Sequence, residues 1–163
     1  MITLQNILVP SDFSECSDAA VRYGLELARK FDATVHLLHV VQDPMTMPWA
    51  AEGLAVPMLE VVEQWQKEAE ERLKALVPPV DRGRVRVSST VASPYPEILR
   101  FAGEQRIDLI VMGTHGRGGV SHLLLGSIAE KVVRRAPCPV LTVRSPQHGL
   151  VELPAPVAIA SAI

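Results

Sequence analysis

Apolar residues recur along this chain in two rhythms. Short, nearly unbroken runs of Val, Ile and Leu cover residues 3–9, 35–41, 84–91, 108–112 and 140–143. Runs of this length and β-branched content predict strands. Between them lie longer segments whose apolar positions return every three or four residues, the helical spacing. Residues 14–30 bring Ala20 and Leu27, with Phe31 just beyond, near one face. Residues 58–76 place Leu59, Val62, Ala69, Leu73 and Leu76 on a stripe, with Glu and Lys opposite. Residues 94–105 and 127–135 predict two shorter helices. Five strands alternating with four helices predict an α/β fold, a parallel sheet with helices on both faces. Residues 7–9 and 109–112 are almost continuously apolar, as strands buried on both faces should be. Residues 84–90 alternate more, which fits an edge strand.

Two segments break the alternation. Residues 41–57, VQDPMTMPWAAEGLAVP, hold three prolines together with Met45, Met47 and Trp49. That is long for a connection, and exposed Met and Trp would fit an unknown protein partner. The tail after Arg144, residues 145–163, is too short and too interrupted by proline to span a bilayer. Packing on a neighbouring subunit and disorder remain its two alternatives. The expected organisation is one domain, residues 1–144, and a tail.

Composition narrows the partners. The 163 residues carry a formal charge of −2, without the basic excess expected of a nucleic-acid binder. Only 4% are aromatic, so the core must be aliphatic. No run of about 18 apolar residues predicts a membrane span. The amino terminus, MITLQNILVPSD, lacks a basic segment and a long apolar one, so a cytoplasmic location is expected. Cys16 and Cys138 form no metal-ligand pattern and read as buried, reduced thiols.

In open parallel sheets, ligands bind beyond the carboxyl ends of the strands, where the strand order reverses. Pro10, Ser11 and Asp12 follow the first strand, and His39, Val40 and Val41 end the second. After the fourth comes GTHGRGGVSHLLLGS, residues 113–127, with five glycines in fifteen positions. This stretch is either a slack surface loop or a phosphate cradle. Backbone N–H groups approach an anion closely where Cβ atoms are missing, and the loop leads into a helix start, which attracts anions. Arg117 is the only Lys, Arg, Asp or Glu between Asp108 and Glu130. Ser127 to Glu130 also spells an S-x-x-E capping box, and Asp12 to Glu15 a D-x-x-E box, so both residues have a capping alternative. His115 and His122 read as solvated loop residues. His36 and His39 fall on opposite sides of a strand and cannot chelate together. The P-loop GxxxxGK[ST], GxGxxG after the first strand, and GxSxG are all absent.

Gly113-x-x-Gly116, nine residues, then Gly126-Ser127 resembles the G-2x-G-9x-G-[ST] pattern of the ATP-binding class of universal stress proteins. The first βαβ stretch, ILVPSDFSECSDAAVRYGLELARKFDATVHLLHV, is similar to that family's beginning, and the similarity runs from Ile2 to Arg144. It implies a sheet ordered 3-2-1-4-5 and a homodimer paired through the last strand, Pro139 to Val143. It implies that ATP, or AMP or ADP, is bound with Mg or Mn held through the phosphates. By position, Pro10 and Asp12 would meet the ribose or phosphate end and Val40 the adenine through its backbone. Met112 and Gly113 would floor the site; Gly116, Arg117, Gly126, Ser127 and Ile128 would wrap the phosphates. Ala92 stands where many members have Gly; Ser93 can cap the following helix and Pro94 suits its first turn. The implied role is a stress-response or signalling switch with slow or no turnover. A slow ATPase or autokinase, and an interaction module without nucleotide, are the alternatives.

Overall fold

Ile7, Leu8 and Val9 are wholly excluded from solvent, and so are Ile110 and Val111. They are the centres of two adjacent strands that a computed structural model places in the middle of a five-stranded sheet. The structure describes residues 3–42, 58–114 and 126–144. The insert after Gln42, the glycine loop from His115 to Leu125 and the tail after Arg144 lie outside the described residues.

The strands are β1 (Asn6–Pro10), β2 (Thr34–Val41), β3 (Val85–Val91), β4 (Leu109–Gly113) and β5 (Val140–Val143). The helices are α1 (Glu15–Phe31), α2 (Met58–Ala75), α3 (Pro94–Glu104) and α4 (Ser127–Arg135). All neighbouring strands pair parallel, in the order β3-β2-β1-β4-β5. The alternating strand at residues 84–91 is indeed an edge. Strand β1 begins later than its apolar run. The Asp108 carboxylate accepts the N–H groups of Gln5 (2.8 Å) and Asn6 (2.9 Å), so a side chain ties down the chain there.

The helices divide between the two faces. Helix α1, Leu73 of α2 and Leu76 just after it pack on Ile7, Val9, Val35, Leu37 and Val111. Ile98 and Ala102 of α3, with Ala129 and Val132 of α4, pack on Leu8, Leu38, Ile110 and Met112. Helix α1 lies very close to β1: a Cβ on Gly24 would stand 2.6 Å from a methyl of Val9. Phe31, at the end of α1, turns out of the core and is 39% exposed, whereas Leu27 packs inward. Cys16 is buried but Cys138 only half so, at the margin of the second core. Burial, followed by the Asp108 charge, pushes the Cys138 thiol pKa up. Among the described residues no helix is long and apolar enough to cross a membrane.

Helix α2 is followed by a 3-10 turn, Pro79–Asp81, which the apolar pattern does not predict. Its last residue is an acid with 1% exposure. The Asp81 carboxylate accepts two hydrogen bonds from the Arg29 guanidinium, at 3.0 and 2.5 Å. Arg84 lies 3.8 Å from the same carboxylate and donates to the Ala28 carbonyl at the end of α1 (3.1 Å). Two arginines thus lock the 3-10 turn, α1 and the start of β3 together at the amino end of the sheet.

Candidate functional site

Strands β1 and β4 are neighbours, yet the helices that follow them leave for opposite faces. A crevice must open where the two chains part. The register Ile7↔Leu109 and Leu8↔Ile110 brings the chain beyond Pro10 level with the chain beyond Met112. Asp12 therefore stands beside the start of the glycine loop.

Strand β2 outruns β1. Its last partner there is Leu38, whose carbonyl accepts the Ser11 N–H at 2.9 Å, while its pairing with β3 continues to Val41. In a parallel strand the N–H and C=O of one residue point to the same side, and the side alternates. Thr34 and Leu38 bond toward β1; Val35 and Val41 bond toward β3. The N–H and C=O of Val40 consequently face the β1 side, above the point where β1 has ended. The Val40 side chain packs partly against the second core.

The turn after β1 is built from serines at positions 11, 14 and 17. Ser11 and Ser17 are buried and their hydroxyls lie 3.2 Å apart. Ser17 Oγ donates to the Ser14 carbonyl (2.9 Å), so Ser11 is the donor between the two hydroxyls. Ser11 Oγ in turn accepts the Phe13 N–H (3.1 Å). Asp12 Oδ1 accepts from both the N–H and the hydroxyl of Ser14, at 3.1 and 2.6 Å. Ser14, not Asp12, is the N-cap of α1, and its oxygen accepts the Ser17 N–H. The D-x-x-E reading of Asp12 as the cap is corrected: Asp12 sits two residues earlier and orients the true cap.

Phe13 adopts φ 61°, the left-handed region that side chains other than glycine rarely occupy. Its ring lies 4.5 Å from that of His39 and carries the Arg72 guanidinium 3.9 Å from its centroid. His39 Nδ1 is 2.8 Å from the Ser11 carbonyl, which can only accept, so that nitrogen bears the proton. His36 lies on the other face, edge-on to Phe101, as the strand alternation requires. Burial pushes the Asp18 carboxyl pKa up against the opposing pull of Arg22 and Arg72; the Asp12 charge adds to the rise.

On the β4 side, Gly113 has a steric reason. A Cβ there would stand 2.8 Å from the carbonyl carbon and the Cβ of Cys16, so α1 crosses directly over it. Thr114 is buried and ties the site together: its N–H donates to Val143 (2.9 Å) and its carbonyl accepts the Gly126 N–H (2.7 Å). The two ends of the glycine loop thereby meet. Gly126 is the N-cap of α4 and Ser127 its first helical residue. The S-x-x-E capping box is therefore corrected. The Glu130 N–H bonds to the Gly126 carbonyl, one residue earlier than the box requires, and the Glu130 side chain pairs with Arg134. Likewise Ser93 caps α3 without a side-chain hydrogen bond.

Of the expected site residues, Pro10, Asp12, Val40, Gly113, Gly126, Ser127 and Ile128 lie at the carboxyl end of the sheet or on the α4 start beside it. Ser127 and Ile128 are exposed. Met112 is buried among core side chains. Gly116 and Arg117 lie outside the described residues. Sequence reasoning named Ser11 only as part of the segment after β1 and passed over Ser14, Ser17, Phe13 and Arg72; the three-residue spacing of the serines was the available signal.

Comparison with known proteins agrees with this architecture. The model of the universal stress protein family matches residues 3–144. Universal stress protein MJ0531 of Methanocaldococcus jannaschii is 34% identical over 145 residues, which span 88% of this chain and 84% of the relative. The solved structure of universal stress protein UspA from Lactobacillus plantarum is 27% identical, with a TM-score of 0.74, covering 88% of this chain and all of that one. A universal stress protein from Archaeoglobus fulgidus, solved in complex with dAMP, shares the fold at 20% identity and a TM-score of 0.55, covering 88% and 99%. The chain belongs to the universal stress protein family.

Proposed function

We propose that the crevice between β1 and β4 binds ATP or another adenine nucleotide, and that the protein acts as a nucleotide-dependent switch in a stress response. The observation that carries this reading is the Val40 backbone, which faces the crevice beyond the end of β1. One N–H and one C=O side by side match an adenine edge, whose N6 amino group donates while its ring nitrogens accept. Asp12, oriented by Ser14, is assigned to the ribose or the phosphate end. Met112 and Gly113 are assigned to the floor of the site, and Gly116, Arg117, Gly126, Ser127 and Ile128 to the phosphates, where α4 offers its unpaired N–H groups. The dAMP complex of the Archaeoglobus fulgidus protein is consistent with an adenine nucleotide in this fold.

Among the described residues no group of three His, Cys, Asp or Glu is arranged for a metal. Mg or Mn, as the family resemblance implies, is assigned to the phosphate oxygens, with Asp12 within the same crevice. Bound there, the ion would neutralise phosphate charge. The domain is assigned to residues 1–144. A homodimer through β5 fits its position: β4 pairs with one edge, and Leu141 is 38% exposed.

Native mass spectrometry of the purified protein tests both assignments together. Two 17.8 kDa chains, each with the added mass of an adenine nucleotide, are expected. A bare monomer that takes up no added ATP would contradict them.

A further inference from the structure

Phe13 is a bulky residue in a conformation that favours glycine. Such strain persists only where the surroundings enforce it. The N–H bond to Ser11 fixes one side of the turn, but it would hold equally well with a glycine at position 13. What a glycine would lack is the ring, which packs at the margin of the first core and there meets two polar groups from other elements. His39 of β2 packs against it and is held by the Ser11 carbonyl; Arg72 of α2 lies over it. A cation at 3.9 Å from a ring centroid is within the range of an effective cation–π contact.

The turn centred on Phe13 also sets Asp12. Ser14 gives Asp12 Oδ1 two hydrogen bonds, from its N–H and its hydroxyl, so Phe13 links the carboxylate to these donors. If the φ of Phe13 relaxes, the Ser14 N–H and hydroxyl swing away from that oxygen. Arg72 belongs to a helix that follows the insert, and it also bears on Asp18, which the Asp12 charge reaches as well.

We propose that Arg72, acting through the ring of Phe13, is a positioning residue for Asp12, so that helix α2 sets the affinity of the crevice for nucleotide. This rests on the nucleotide reading for its consequence but not for its geometry. Arg72 touches no nucleotide; it holds the turn from behind.

A double-mutant cycle on the full chain tests it, with ATP affinity and the Ser14 amide resonance as separate readouts. Arg72→Met keeps the aliphatic cover of the ring and removes the cation; it is expected to weaken ATP binding roughly fivefold. Arg72→Lys keeps a cation over the ring and is expected to stay within about twofold of the unsubstituted protein. Added to Asp12→Asn, Arg72→Met is expected to cost nothing further, because the two act through one carboxylate. Additive losses, or Arg72→Lys binding as poorly as Arg72→Met, would overturn the proposal. In nucleotide-free protein, the Ser14 amide resonance is expected to move in Arg72→Met and to return in Arg72→Lys. An unmoved Ser14 amide in Arg72→Met overturns the proposal whether or not ATP binds. Failure of the unsubstituted protein to bind ATP, with the Ser14 amide still responding, removes the nucleotide reading and leaves the stack.

Discussion

Asp81→Ala is expected to lower the unfolding free energy by about 2–4 kcal/mol, which urea denaturation monitored by circular dichroism measures directly. The carboxylate is 1% exposed and holds the Arg29 guanidinium in a two-pronged pair. Removing one member of a buried pair strands the other, and that loss exceeds the modest worth of surface ion pairs. The Arg29 side chain keeps 34% of its exposure, so water recovers part of the loss and the lower half of the range is favoured. Glu26→Ala is the contrast. It too meets Arg29, but its side chain is 38% exposed, and about 0.5 kcal/mol or less is expected. Equal effects for the two acids would show that Asp81 is no keystone.

The second large effect separates two glycines of one motif. Gly113→Val is expected to damage the fold itself, lowering stability by about 1–3 kcal/mol or more. Its Cβ would strike the Cys16 backbone at 2.8 Å, and backbone in the first turn of α1 cannot step aside as a flexible side chain would. Gly126→Val is expected to leave stability within about 0.5 kcal/mol. The backbone of Gly126 has φ −58° and ψ 150°, open to any residue. A β-branched side chain at that helix start nevertheless stands between an anion and the N–H groups of α4. ATP binding is expected to weaken by on the order of a hundredfold. Thermal melts and ATP titrations of the two variants, side by side, check this. Unaltered stability in Gly113→Val, or unaltered affinity in Gly126→Val, would reverse the roles given to them.

These two glycines also mark where sequence was informative and where it stopped. Close backbone approach is the common reason for glycine, and the family resemblance made both positions ligand contacts. For Gly113 the structure supplies a nearer neighbour, the first turn of α1. The strands were legible because each is a short aliphatic run, and the helices because their apolar positions keep a helical period. Even the edge position of β3 showed in its alternation. Helix starts were less legible, because several serines or acids near one boundary can each serve as the cap. Asp12 competed with Ser14, and Ser127 with Gly126; only the backbone hydrogen bonds separate them.

Pairings between distant elements left no local trace. Arg29 and Asp81 are 52 positions apart, and nothing around Pro78 and Pro79 announces a buried acid. Arg72, which the sequence reading passed over, lies over a ring from the first loop. The same holds for Val40. Its place in a strand was plain, but the direction of its N–H and C=O depends on where β1 stops. The proposed purine contact rests on that direction rather than on the glycine count.

Nucleotide binding is the central claim, and equilibrium titration of nucleotide-stripped protein with ATP and magnesium tests it most directly. Saturable binding at one site per chain, with a Kd well below about 1 mM, is expected. A flat titration up to millimolar ATP, with the protein folded throughout, would contradict it.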